Sequence, residues 1–232
     1  MVTGVGKGMG REIALAMADT VSGVAVHYHR QREVAESVAA EIERKGKLSA
    51  VFRADLTKEN QAKGLIKRVE GRFGRLDILV NTIGPILVKP WIELEAADWE
   101  SMLKGNLESA FFCLKAALPG MRVRKWGRII NIGYHRVEQL GAFPNITPYA
   151  VAKTGLLILT RTAASAEAAL GITVNMVSPG LIEGGVLPQS LKSPKNSLGT
   201  YKDVAEAVLF LASDKAQAIT GTNLIVAGSW KM

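Results

Sequence analysis

Thr3-Gly4-Val5-Gly6-Lys7-Gly8-Met9-Gly10 runs straight into Arg11-Glu12-Ile13-Ala14-Leu15-Ala16-Met17-Ala18, an amphipathic helical stretch. A glycine-rich turn that opens a helix lets backbone N–H groups approach a pyrophosphate, and the positive helix end stabilises its charge. The form here is T-G-x-x-x-G-x-G rather than G-x-G-x-x-G. Taken alone, the stretch also suits a plain tight turn. The rest of the chain decides the matter.

Working outward, short apolar runs alternate with longer amphipathic ones, the pattern of βαβ units and a parallel sheet. Strands are expected at 23–28, 48–53, 76–81, 127–133, 172–177 and 223–227, and helices near 9–20, 31–45, 58–73, 96–104, 106–124, 148–169 and 201–213. No linker, repeat or low-complexity segment interrupts them, so residues 1–232 read as a single α/β domain. Right-handed crossovers follow from the handedness rule.

A second stretch carries chemistry. In Pro148-Tyr149-Ala150-Val151-Ala152-Lys153 the phenol and the amine stand four residues apart in a helix-forming run, on one helical face. A free phenol has a pKa of ~10. A neighbouring ammonium favours the phenolate and lowers that value, which makes the pair a tunable proton donor and acceptor.

With both stretches read, the chain resembles the short-chain dehydrogenase/reductase family. Further segments agree in order: Asp55-Leu56-Thr57, Asn81-Thr82-Ile83-Gly84, Asn106, and Val174-Asn175-Met176-Val177-Ser178-Pro179-Gly180. The resemblance runs from Thr3 to about Val226 and implies a doubly wound, Rossmann-type sheet of about seven strands with helices on both faces. It further implies that Tyr149 protonates a substrate carbonyl oxygen as hydride arrives from a nicotinamide. Lys153 would lower the pKa of Tyr149 and hold the nicotinamide ribose, and Asn106 would fix a water linking Lys153 to solvent. Gly4, Lys7, Gly8, Met9, Gly10, His29, Arg30, Asp55, Leu56, Asn81, Gly84, Pro179, Gly180 and Ile182, together with Tyr149 and Lys153, would bind the dinucleotide. No metal is expected.

The second expected strand ends in His27-Tyr28-His29-Arg30, and no Asp or Glu occurs between Gly23 and Arg32. An acidic residue here takes the ribose 2′-hydroxyl of NAD. Its absence, with Arg30 and Lys7 at hand to attract a 2′-phosphate, points to NADP(H). The His-Tyr-His-Arg run also resembles pteridine reductases, and the general pattern resembles 3-oxoacyl-acyl-carrier-protein reductases. The expected function is NADPH-dependent reduction of a carbonyl or conjugated C=N substrate, including pterin-like ones. The alternative is an NADP(H)-binding regulatory or scaffold protein with a degraded site.

Four departures from the family pattern stand out. Only Met1 and Val2 precede the glycine turn, so the first strand is expected to be truncated, with residues missing ahead of it. The family's serine after the fifth strand is absent: Tyr134-His135-Arg136 follows Gly133, and no serine occurs between Ser109 and Ser165. By register Tyr134 takes the serine's place, with His135 a second candidate. After Gly180 the chain reads Leu181-Ile182-Glu183 where the family shows I-x-T. The segment from Gly180 to Tyr201 is short, which suggests a reduced lid.

Composition sets outer bounds. The 232-residue chain is 48% hydrophobic and carries a net charge of +8. Its one cysteine, Cys113, excludes a disulfide framework and fits a cytoplasmic setting. No apolar run suits a membrane span, and Asn145-Ile146-Thr147 is a sequon without consequence there. Arg122, Arg124, Lys125 and Arg128 form a basic cluster, read as a solvated helix end rather than a nucleic-acid surface. Apolar residues around most of helix 148–169, including Leu156, Leu157, Leu159, Ala163, Ala164 and Ala168, suggest a second burial partner and hence a homotetramer or homodimer.

Overall fold

The computed structural model describes residues 1–185 and 198–228. Six parallel strands and seven α-helices alternate: α1 (Met9–Ala18), β1 (Gly23–Tyr28), α2 (Arg32–Arg44), β2 (Leu48–Arg53), α3 (Glu59–Phe73), β3 (Ile78–Asn81), α4 (Ala96–Leu103), α5 (Ser109–Arg124), β4 (Gly127–Ile132), α6 (Thr147–Glu167), β5 (Ile172–Pro179), α7 (Tyr201–Ala212) and β6 (Asn223–Val226). β2 pairs with β1, and β3, β4, β5 and β6 pair in that order.

The short stretch Met1–Thr3 is what joins the two halves. Val2 bridges Val26 of β1 and Val80 of β3, both in parallel. Its N–H donates to the Ala25 carbonyl at 3.0 Å, while Thr3 N–H donates to Val80 and Val80 N–H to Met1. Ladder groups in a sheet interior must be paired, and these few bonds give the sheet seven strand positions.

Alternation along the strands sorts the core into two layers. Val24, Val26, Val80, Ile130 and Ile132 face α1, α2 and α7. Ala25, Leu79, Ile129 and Val174 face α3, α5 and the far end of α6. A parallel sheet covered on both faces requires strands apolar throughout, and β4 is buried at every position.

Several boundaries differ from expectation. β3 begins at Ile78 and β5 extends to Pro179. α4 and α5 are one helical run, joined by a π-helical turn over Lys104–Glu108. Residues 186–197, on which the reduced lid rests, lie outside the described residues. Three of the four residues of the basic cluster have partners within the fold: Arg122 pairs with Glu167, Arg124 donates to the Leu76 carbonyl, and the buried Arg128 lies 3.6 Å from the exposed Asp214; Lys125 is exposed. Among the described residues, no helix is long and apolar enough to cross a membrane, and no cluster of metal-ligating side chains occurs.

Candidate active site

The candidate site gathers at the carboxyl ends of the strands, where open α/β sheets bind their ligands. α1 starts at Met9 with Gly8 as its N-cap, at φ 100°, and no side chain caps it. Only glycine takes that backbone angle without strain. The first N–H groups of a helix have no partner within it, so this uncapped end is suited to an anion. A Cβ on Gly10 would lie 2.7 Å from the Gly4 carbonyl oxygen, so helix and turn approach as closely as they do because Gly10 has none.

His27 holds this turn. Its ring Nδ1 accepts from Gly4 N–H at 3.0 Å, and Nε2 lies 3.1 Å from the Ala54 carbonyl. Those partners put the ring proton on Nε2. Burial pushes the His27 pKa down to about 4, against the pull of the Ala54 carbonyl. His27 is therefore a neutral structural link between the glycine turn and the end of β2.

Lys7, His29 and Arg30 are all exposed. Neither Lys7 nor Arg30 forms an ion pair among the described residues, whereas Arg32 is taken by Glu36 at 2.7 Å. The loops carrying Lys7 and Arg30 touch: Gln31 Oε1 is 2.6 Å from where a Gly6 Cβ would lie. Asp55 is half-buried, which would raise its pKa. Two hydrogen bonds from Thr57, to its Oδ1, hold it below the usual range. Leu56 is buried.

Asn81 is buried at the end of β3. Its Nδ2 donates to Asn131 Oδ1, Asn131 Nδ2 donates to Thr160 Oγ1, and Thr160 donates to the Leu156 carbonyl, at 2.9, 2.9 and 2.7 Å. This buried network ties β3 to β4 and α6. Pro179 ends β5, and Gly180 N–H donates to Val226. Ile182 is buried and bridges Gly199.

The reacting corner is drawn from four segments. Lys153 is 3% exposed and donates to the Ile132 carbonyl at 2.7 Å. Its Nζ lies 5.8 Å from the centre of the Tyr149 ring. Asn106 sits in the π-helical turn, fully buried, its Nδ2 donating to the Pro85 and Met102 carbonyls. Its Oδ1 has no partner. A Cβ on Gly84 would lie 2.3 Å from that oxygen and 2.8 Å from Lys153 Nζ. The two polar groups therefore converge on the bare face of Gly84. π-Helical turns recur at functional sites because they redirect a side chain out of helical register.

Tyr134 packs edge-on against the Tyr149 ring, centroids 5.5 Å apart, and also contacts Phe143 and His135. Its hydroxyl is buried without a partner. His135, half-buried, is tied by its backbone N–H to the Pro179 carbonyl.

The protonation states correct one expectation. Lys153 does not lower the pKa of Tyr149 here. Burial, then the neighbouring Tyr134, raises it above the usual phenol range. Burial pushes Lys153 down to about 7 and Tyr134 up to about 12. Desolvation disfavours whichever form is charged, and in this corner it outweighs the attraction between ammonium and phenolate.

This fold and site define an α/β oxidoreductase with a dinucleotide cradle beside a Tyr/Lys pair. The chain belongs to the short-chain dehydrogenase/reductase family: the family described as Enoyl-(Acyl carrier protein) reductase matches residues 4–229. The 3-oxoacyl-acyl-carrier-protein reductase FabG of Staphylococcus epidermidis is 36% identical over 243 aligned positions, covering 100% of this chain and 98% of that one. The 3-oxoacyl-acyl-carrier-protein reductase of Synechocystis sp. is 34% identical over 240, covering 100% and 96%. Among solved structures, acetoin dehydrogenase YohF of Salmonella typhimurium superposes with a TM-score of 0.88 at 28% identity, over 99% of this chain and 95% of that one. The protein is an oxidoreductase of this family, whose members bind a nicotinamide cofactor.

Sequence reasoning singled out the glycine turn, Tyr149, Lys153, Asn106 and Tyr134, and the structure brings the last four together, Lys153 and Asn106 beside Gly84 and Tyr134 against Tyr149. Sequence reasoning missed the link through His27, the Asn81–Asn131–Thr160 network and the contact of Tyr201 with Gly8. The first had a signal, a histidine inside an otherwise apolar strand. The other two depend on distant residues meeting.

Proposed function

We propose that the protein reduces a carbonyl group with NADPH, Tyr149 delivering the proton. The observation that carries this reading is the convergence of Asn106 Oδ1 and Lys153 Nζ on Gly84, beside Tyr149. The uncapped head of α1, with Gly4, Gly8, Met9 and Gly10, would hold the diphosphate. Asp55 and Leu56 would border the adenine, and Pro179, Gly180 and Ile182 the nicotinamide end. A bound reduced nicotinamide would supply the hydride.

The residues then act in sequence. A phenol whose pKa is raised by burial stays protonated through the neutral range, as a proton donor must. Tyr149 O–H binds the substrate oxygen and gives up its proton as that oxygen becomes an alkoxide. The resulting phenolate draws Lys153, which titrates near neutrality and can pass a proton on. The partnerless Oδ1 of Asn106 accepts from a water in that relay. Tyr134 supplies a second O–H to the substrate oxygen, in place of the family's serine. Its own pKa, pushed up to about 12, keeps it neutral and donating.

NADPH over NADH rests on two exposed, unpaired cations, Lys7 and Arg30, and no acid at the end of β1. The relatives' names favour a 3-oxoacyl thioester as the substrate, and the His27–Arg30 run keeps dihydropterins in view. A homo-oligomer is supported by the outer faces of α5 and α6. Leu156, Leu157, Ala163 and Ala164 are buried within the monomer, but Phe111, Val151 and Ile158 remain 41%, 44% and 63% exposed. One buried cysteine fits the reducing cytoplasm.

The test is NADPH oxidation against ketones, diketones, 3-oxoacyl thioesters and dihydropterins, run beside an NADPH titration. Turnover with a carbonyl substrate is expected. Tight binding with no turnover on any of them would favour the regulatory reading, for which the missing serine is the motive. Light scattering at micromolar concentration checks the assembly.

A further inference from the structure

α7 begins beside the glycine turn, and its first residue is an aromatic with a donor. Thr200 caps this helix: its Oγ1 accepts from Asp203 N–H, and Asp203 Oδ2 accepts from Thr200 N–H. That reciprocal cap fixes the direction in which Tyr201 leaves the helix. The ring reaches the head of α1, with its Cζ and hydroxyl both 3.2 Å from where a Gly8 Cβ would lie. The hydroxyl donates to the Gly184 carbonyl at 2.8 Å. Gly184 is itself left-handed, at φ 79°. The turn after β5 is held independently, by Glu183 N–H donating to Gly199 and Gly185 N–H donating to Ile182. Three segments therefore meet at one phenol: the glycine turn, the turn after β5 and the head of α7.

We propose that Tyr201 is a phosphate ligand of the dinucleotide site, its hydroxyl exchanging the Gly184 carbonyl for a diphosphate oxygen held at the head of α1. This rests on the NADP(H) reading above. A phenol has one O–H and can donate to one acceptor at a time. A charged phosphate oxygen is a stronger acceptor than a neutral carbonyl, so the exchange favours the ligand. The turn after β5 keeps its other two bonds and does not need the Tyr201 bond to hold its shape. The contact concerns the diphosphate shared by both nicotinamide dinucleotides, not the 2′-phosphate near Arg30 and Lys7.

The experiment is Tyr201→Phe, which keeps the ring and removes the donor. Dissociation constants are measured for NADPH and NADH, and for adenosine 2′-monophosphate by competition. About tenfold weaker binding of both dinucleotides is expected, by the same factor for each, with the monophosphate unchanged. Unaltered dinucleotide binding would overturn the proposal and leave the NADP(H) reading standing. Equal weakening of all three ligands would also overturn it, because it would mark a general loosening of the site. If the unsubstituted protein binds none of the three, the cofactor reading fails and the proposal goes with it.

Discussion

The two ends of the cleft are built on different principles. The proposed cradle at the head of α1 comes from consecutive residues, is made of backbone, and has Lys7 and Arg30, the cations proposed to read the 2′-phosphate, in solvent. The reacting corner takes Gly84, Asn106, Tyr134 and the Tyr149/Lys153 pair from four separate segments and buries most of their polar atoms. At the exposed end the proposed function follows from which residue stands there. At the buried end desolvation rewrites each pKa, and function follows from the surroundings.

The sharpest way to break this contrast is Tyr149→Phe. If the buried corner does the chemistry and the cradle only binds, kcat/KM should fall by about 10²–10⁴-fold while NADPH affinity changes little. Steady-state kinetics beside a fluorescence titration reads both. Retention of more than about a tenth of the activity would remove Tyr149 as the general acid.

Tyr134→Phe follows, with a signature that a structural tyrosine would not give. The Tyr134 hydroxyl is buried without a partner, so deleting it should leave thermal stability unchanged or slightly higher. The same deletion should lower kcat by up to about 10², the order expected for one lost donor to a developing oxyanion. A variant that is active but less stable would reverse the reading. If Tyr134→Phe is silent and His135→Ala is not, the donor is His135.

At the cradle, Arg30→Ala with Lys7→Ala should bring NADPH and NADH close to parity. A charge-assisted hydrogen bond is worth roughly 1.5–3 kcal/mol, or about tenfold to 150-fold in affinity. Equal affinities in the unsubstituted protein would remove the basis for NADP(H).

The same contrast explains how much was legible. The glycine turn, the helix it opens and the Tyr149–Lys153 spacing are local, and the structure has them where the sequence puts them. Just past β1, His29 and Arg30 are exposed, as their polar side chains suggest. The sign of the Tyr149 shift was not legible: the i,i+4 spacing reveals the ammonium nearby but not that Tyr134 covers the phenol. The motif that contains Asn81 was legible as a strand end, but the buried partners of its side chain were not. Whether it turns inward depends on Asn131 and Thr160, which tertiary packing alone brings to it. Asn106 was found by motif, yet the π-helical turn that frees its Oδ1 left no mark in the helical periodicity.

The last test concerns His27, which ties the glycine turn to the end of β2. Its folded pKa of about 4 lies below the unfolded value of 6.5. Between those values the unfolded chain binds a proton that the folded chain refuses, so stability falls as pH drops from 6.5 to 4 and levels off below. Above 6.5 the ring is neutral in both states and contributes no slope. One pKa unit corresponds to ~1.4 kcal/mol, which puts the loss from this residue on the order of 3 kcal/mol. His27→Gln should flatten the denaturation midpoint across that window, whatever its effect at pH 7.5. NADPH affinity should shift in parallel, since the ring Nδ1 is what holds Gly4 N–H in the cradle. An unchanged pH slope in the variant would assign the acid sensitivity to other buried groups. It would also leave His27 a packing residue, with no hold on the cradle.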